Sequence, residues 1–330
     1  MIQLGNNSDM LRSLISILLL ITLTACSGPA DVHETRFIMG TLVEFTIANS
    51  EKDPADRAIA AAASEMQRIE DAFTIYGEHS NSVKAFNNTP VNTPLTLPDE
   101  VSDLLKQSLE IKQQSLGAFD PTIAALNLLW GFSGTDLPSS PPNQSDIKQA
   151  KPPTHCIEAV ETGWLRKDLR CQLDFGAIAK GYAIDRGIEV FKEHGIENAI
   201  INAGGDIRLI GRHGDRPWRI GIRHPRNKGE VVKTLELEGD LAVVTSGDYE
   251  RFYIYEGKRY HHIINPATGW PSKKSQSATI IAPTAAVADA WSTALFILGN
   301  DTTAMIKNIR YNSLIIDSNG NINGSLNTDQ

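Results

Sequence analysis

The chain has 330 residues with a net charge of −8, and 41% of its residues are hydrophobic against 21% charged. That length and apolar content suffice for a sizeable core, and an acidic balance with no basic stripe argues against a nucleic-acid surface. Besides Cys26, the chain holds only Cys156 and Cys171, a pair that either forms a disulfide or stays as two buried thiols.

Leu14 to Leu23 is a largely apolar run, too short to span a bilayer, with Arg12 before it and Leu23-Thr24-Ala25-Cys26 at its end. Leu-Thr-Ala-Cys resembles a bacterial lipobox. The expectation is a signal peptide over 1–25, a lipidated Cys26 and a tether over 26–34, which places the protein on the periplasmic face of a membrane, the inner favoured over the outer. Three acyl chains exceed the two-signal requirement for stable anchoring.

Arg36 to Ile47 alternates through Phe37, Met39, Thr41, Val43, Phe45 and Ile47, predicting one strand with a single buried face. Pro54 to Phe73 repeats Ile59, Ala62, Met66, Ile69 and Phe73 at helical spacing, and Pro98 to Gln114 does the same with Val101, Leu104, Leu105 and Leu109. A third helix is expected from Asp120 as N-cap and Pro121 at the first position. The Pro-, Ser- and Asn-rich interval 133–154 reads as a surface excursion. Cys171 to Phe175 reads as a strand that breaks on Gly176 and enters a helix. Further strands are expected at 199–202, 207–211, 219–222, 241–245, 252–255, 260–264, 278–282 and 313–317, with a helix over Thr284 to Leu298. Helices mixed with antiparallel hairpins predict an α+β fold.

Several segments carry chemistry. Lys180 and Gly181 fall in the first turn of the helix after Gly176, where unpaired N–H groups and the helix dipole favour an anion. Neither a Walker loop nor a kinase motif set is present. Asp289 and Thr293 stand four apart and share one helix face, an oxygen pair suited to Mg²⁺. His261 and His262 end a strand before the turn Asn265-Pro-Ala-Thr268-Gly269, so by alternation only one faces a given site. Ser246 lies in Thr-Ser-Gly-Asp-Tyr249, and Gly40 follows Met39 within the first predicted strand. Singly, each of these also reads as ordinary structure.

Their order carries more weight. Met39-Gly-Thr41, Gly117-Ala-Phe-Asp120, Asp174-Phe-Gly-Ala-Ile-Ala-Lys-Gly-Tyr-Ala183, Asn202-Ala-Gly-Gly-Asp-Ile207, Thr245-Ser-Gly-Asp-Tyr249, His262-Ile-Ile-Asn-Pro-Ala-Thr-Gly269 and Ala288-Asp-Ala-Trp-Ser-Thr-Ala294 occur in sequence. The set resembles the FAD:protein FMN transferase family, the ApbE type, from about Arg36 to Ser318. The resemblance implies a single catalytic unit over 35–325 with largely antiparallel sheets, packed helices and a T-fold-related architecture. It implies Mg²⁺-dependent transfer of FMN from FAD to a Ser or Thr hydroxyl of a target flavoprotein subunit with release of AMP, the acceptor lying in a Ser/Thr-Gly-Ala-Thr context. Residue by residue, it points to Asp289, Thr293 and a carbonyl of Gly176-Ala177 as metal ligands, Ala177 being preferred. Met39, Tyr76, Ala118, Phe119, Asp120 and Lys180, with Asp206 and Ser246 added, fall at flavin or adenosine positions, and His262 is the candidate base. One segment departs from the family pattern: Ser80-Asn-Ser-Val83 lacks the usual Glu. Alternatives are a hydrolase that gives FMN and AMP, or a lipid-anchored flavin-binding protein without turnover.

Overall fold

The computed structural model describes residues 30–132, 137–302 and 311–327, so the lipobox and Cys26 lie outside the described residues. The hairpin β1 (Val32–Ile38) and β2 (Thr41–Ile47) precedes helices α1 (Lys52–Phe73), α2 (Ser82–Asn88), α3 (Asp99–Gln114), α4 (Ala124–Trp130) and α5 (Gln144–Ala150). A second hairpin, β3 (Ile157–Val160) and β4 (Gly163–Arg166), leads to α6 (Ala179–Glu193). Then come β5 (Ala199–Ala203), β6 (Asp206–Ile210), β7 (Trp218–Arg223), β8 (Val231–Leu237) and β9 (Leu241–Gly247). The hairpin β10 (Phe252–Tyr255) and β11 (Lys258–His261) precedes β12 (Ser275–Ala282), α7 (Ala285–Leu298), β13 (Asn312–Asp317) and β14 (Ile322–Asn323).

Eight strands form one antiparallel sheet in the order β1-β2-β5-β6-β9-β12-β13-β14. Successive side chains on a strand point to opposite faces, so Val244 and Ile280 enter the main core while their neighbours Val243 and Ile281 enter a second one. The main core lies under α1, α6 and α7, whose buried stripes include Ile59 and Met66, Ile184 and Ile188, and Leu295 and Phe296. The second forms under the β7–β8 hairpin, where Trp218, Ile220, Ile222 and Leu235 cover part of the other face. A third, smaller cluster joins Leu126, Trp130 and Phe132 to Ile147, Tyr253 and Ile264. The α+β fold and the antiparallel sheet are as expected.

Several elements differ from expectation. Arg36 to Ile47 is not one strand: Met39 and Gly40, at φ +55° and +69°, form a two-residue turn, and β1 begins at Val32, inside the expected tether. Positive φ at both central positions gives the twist that hairpins need. Pairing across the turn puts Phe37 opposite Leu42, and both are exposed, Phe37 at 72%. The third helix starts at Ala124 with Ile123 as its N-cap. Asp120 instead caps a turn, accepting the Thr122 N–H at 2.9 Å and pairing with Lys112 at 2.8 Å. Cys171 to Phe175 is extended but joins no sheet, with a bridge at Gln172 alone. The interval 133–154 contains α5. Cys156 and Cys171 form a disulfide across the β3–β4 hairpin.

Candidate active site

The sheet register gathers the chemistry-bearing segments at one end. Val43 pairs with Ala203, and Ile207 with Val243. Hence the Met39-Gly40 turn, the Gly204-Gly205 turn and the C-terminal end of β9 share that end. The N-terminus of α6 faces it, entered through the turn at 176–178.

Gly181 lies in the first turn of α6, where backbone N–H groups have no intrahelical partner. Its N–H donates to Oδ2 of Asp289 on α7 at 3.0 Å. The helices meet this closely because residue 181 has no side chain: a Cβ there would lie 2.2 Å from the carbonyl oxygen of Ala285. Asp185, one turn further along α6, accepts the N–H groups of Ala285 and Ala286 at 2.7 and 2.9 Å, and Arg208 on β6 pairs with it at 2.8 Å. It thereby caps α7 from outside its own chain segment. One helix thus fixes the other in place and in rotation.

Lys180 and Asp206 form an ion pair at 2.5 Å, and Asp206 also accepts the Thr245 N–H at 3.2 Å. Burial works against the Lys180 ammonium, but the carboxylates of Asp206 and Asp289 outweigh it and raise its pKa. Burial, reinforced by the charge of Asp206, pushes the Asp289 carboxyl up to about 7, against the pull of Lys180 and the Gly181 N–H. Ser246 Oγ lies 2.8 Å from Ser292 Oγ and 3.1 Å from Thr293 Oγ1, so β9 and α7 share a hydroxyl cluster. Ser292 also donates to the Asp289 carbonyl at 2.9 Å.

His262 follows β11. Its N–H donates to the Arg251 carbonyl at 3.1 Å, and its Nδ1 lies 3.4 Å from the same oxygen. With the proton on Nδ1, that contact leaves Nε2 as the acceptor. Burial, with His261 and Arg251 close by, lowers its pKa to about 3, so the ring is neutral near pH 7. His261 takes the opposite side, buried, with Nε2 2.7 Å from the Ser272 carbonyl. The Arg251 guanidinium crosses Gly40, where an added Cβ would meet Nη2 at 3.2 Å. Met39 donates its N–H to Glu70 at 2.8 Å.

The remaining predicted residues lie as follows. Ala118 and Phe119 are buried in the main core, Phe119 donating its N–H to Ser115. They precede Pro121, whose carbonyl accepts the Asp174 N–H at 2.8 Å, so the 118–122 loop runs beside the segment that leads to Ala177. Tyr76 sits half-buried between α1 and α2, and Lys84 holds its carbonyl at 2.7 Å. The site thus brings together Lys180, Asp206, Ser246, Asp289 and Thr293. Asp185 and Arg251 join it without a sequence signal of their own, and Ser292 joins it as a member of the Ala288–Ala294 motif with no role assigned there.

A metal site here has the right donors. Asp289 and Thr293 lie one helical turn apart, Ala177 is in the turn before α6, and carboxylate, hydroxyl and carbonyl oxygens suit Mg²⁺. A buried carboxyl whose pKa is raised gains from a cation beside it. No group of three or more His, Cys, Asp and Glu able to hold a metal occurs among the described residues, which leaves this mixed oxygen set.

A helix N-terminus, a half-buried lysine and two nearby carboxylates at the end of an antiparallel sheet suit an enzyme that handles phosphorylated substrates. Residues 39–315 match the model of the ApbE family. The FAD:protein FMN transferase of Escherichia coli (strain K12) is 30% identical over 285 residues, covering 82% of this chain and 81% of that protein. Among solved structures, the ApbE protein of Thermotoga maritima superposes with a TM-score of 0.81 at 34% identity, covering 89% of this chain and 97% of that one. Flavin transferase ApbE from Vibrio cholerae does so with a TM-score of 0.77 at 25% identity, covering 89% and 96%. The chain belongs to the ApbE family and is a transferase.

Proposed function

We propose that this protein transfers the FMN moiety of FAD to a Ser or Thr hydroxyl of a target flavoprotein, with AMP as the leaving product. The observation that carries the reading is the meeting of Asp289 with the N-terminus of α6 beside Lys180. The hydroxyl oxygen attacks the FMN phosphorus, and the phosphoanhydride bond to AMP breaks. His262, neutral and with Nε2 open, takes the hydroxyl proton. An alcohol is a weak nucleophile near neutral pH, hence the need for a base. Lys180 and the helix N-terminus offset the charge of the phosphates. Asp289, Thr293 and the Ala177 carbonyl would hold Mg²⁺, which when bound supplies charge neutralisation at the phosphates. Met39, Tyr76, Ala118, Phe119, Asp120, Asp206 and Ser246 line the nucleotide's path in this reading.

Export fits the same picture. Cys26 would carry the lipid anchor at the periplasmic face, favouring the inner membrane, and a Cys156–Cys171 disulfide is at home in an oxidising compartment.

The test is an intact mass of an acceptor domain bearing a Ser/Thr-Gly-Ala-Thr site after incubation with the full-length protein in detergent, FAD and Mg²⁺. The expected result is an acceptor carrying one esterified FMN, lost with EDTA or in Asp289→Ala. Free FMN and AMP with an unmodified acceptor would make the enzyme a hydrolase; unchanged FAD would leave a binding protein.

A further inference from the structure

The β7–β8 hairpin is a two-stranded sheet, so among the described residues no strand covers the second edge of β7. Every residue from Arg219 to Arg223 lines a cleft of about 490 Å³. Alternate residues of a strand face opposite sides. A consecutive run therefore borders a cleft where the strand presents its edge, with its unpaired N–H and C=O groups, rather than a face. The floor of the cleft is the main sheet, open at Leu42, half-covered at Ile200 and closing at Val243, which is buried under the β7–β8 hairpin. Phe37, exposed opposite Leu42, extends that apolar strip onto the β1–β2 hairpin.

The cleft lies on the face of the sheet away from α6 and α7 and opens at the sheet end that gathers the site. Its lining includes Gly204, Gly205, Tyr249 and Glu250. Gly205 precedes Asp206, which holds Lys180, and Glu250 precedes Arg251, whose carbonyl holds His262. Gly204 and Gly205, at φ +64° and +108°, put no side chain across that end. We infer that the free edge of β7 and the open sheet face form the docking groove for the acceptor protein, which lays the segment bearing its hydroxyl along β7 as an added strand. This rests on the transferase reading above and names how the second substrate reaches its site. The shared end of the sheet favours the acceptor as occupant, because its hydroxyl must round the Gly204-Gly205 turn to arrive beside His262 while its chain continues along β7. Strand addition draws affinity from main-chain hydrogen bonds and so accepts a segment of small side chains.

Amide hydrogen exchange on the full-length protein, with Mg²⁺, FAD and a peptide centred on Thr-Gly-Ala-Thr, tests this, with FMN transfer to the same peptide read by mass. Exchange within 218–223 is expected to slow by about tenfold or more on adding peptide, as edge amides gain partners. Ile200→Trp, which fills the floor, should raise the acceptor KM by about tenfold, a loss of about 1.4 kcal/mol. Flavin fluorescence reports FAD binding separately. Transfer with exchange at 218–223 unchanged overturns the groove. Absence of both transfer and slowing overturns the transferase reading and the docking with it. Slowing that follows protein concentration without peptide assigns the groove to a second copy of the chain and also overturns it.

Discussion

At Gly181 the site has no room for a side chain. A Cβ would lie 2.2 Å from the Ala285 oxygen and 2.7 Å from the Ala286 nitrogen, both backbone atoms. Gly181→Ala therefore drives α6 and α7 apart, at a cost of about 1–3 kcal/mol by the usual scale of overpacking. The same displacement carries Asp289 away from the Gly181 N–H and Lys180. A lowered Tm together with lost FMN transfer is expected; a variant that melts and turns over like the parent would refute it. His262 makes a different prediction. Its pKa, lowered to about 3, keeps the ring neutral well below the ordinary 6.5. The acid limb of kcat/KM, which reports the free enzyme's base, should then lie below pH 6, and His262→Gln should abolish transfer while FAD still binds. An acid limb at 6.5 would mean the ring is ordinary. Lys180, Asp206, Asp289 and His262 stand in short motifs whose residue types announce their chemistry. Asp185 and Arg251 do not, because what they do depends on backbone groups they reach only in the fold: Asp185 binds amides 100 and 101 residues away.

The β3–β4 hairpin is tied to the site by its disulfide. Cys156 and Cys171, 15 residues apart, are both buried, and the chain continues from Cys171 directly through Leu173 and Asp174 to the 176–178 turn before α6. Asn87 clamps that passage with two hydrogen bonds to the backbone of Leu173, at 2.6 and 2.9 Å. Closing a loop of this size restricts the unfolded chain by about 3 kcal/mol. Reduction, or Cys156→Ser, is expected to lower the free energy of unfolding by about 2–4 kcal/mol, read from urea midpoints with and without reductant; coincident curves would show that the bridge adds nothing. Among the elements, α1, α3 and α7 were readable because each repeats its apolar stripe over several turns. The short α2 and α5 are not, since seven residues hold barely two turns of pattern, and α4 is legible only from its Asp120-Pro121 start signal, which places it too early. The β1–β2 hairpin was hidden for another reason. Its turn begins on Met39, which is no turn former, and the alternation runs on through it. Pairing across the turn nevertheless moves Phe37 to the face opposite Val43, so a pattern read as one strand assigned Phe37 the wrong side.

Across the whole molecule, one core draws residues from Ile38 to Ile315, so strands from both edges of the sheet contribute to it. Arg68 on α1 bonds Glu65 and also Glu100 on α3 at 2.8 Å; Tyr182 on α6 donates to Glu100 at 3.0 Å, and Arg186 to Glu65 at 3.1 Å. Such interdependence predicts a single unfolding transition, with fluorescence and circular dichroism midpoints that coincide. Its pH dependence follows from the groups that folding perturbs. Burial lowers the pKa of His261, and that of His262 falls to about 3. Below 6.5 the unfolded chain takes up those two protons first, while the folded chain holds one proton more at Asp289, raised to about 7, so stability falls there by the difference. The hydrogen bond from Arg68 holds Glu65 down to about 2 against its burial, and Arg68 lowers Glu100 as well. Their contribution is whole above about 4.5 and is lost as pH drops toward 2. Urea midpoints measured from pH 7 to pH 3 should therefore descend in two stages. Arg68→Ala should make the second stage shallower and leave the first, because it removes one partner of each glutamate, leaving Arg186 on Glu65 and Tyr182 on Glu100, and touches neither histidine. A variant whose second stage stays as steep would show that the acid limit is set elsewhere.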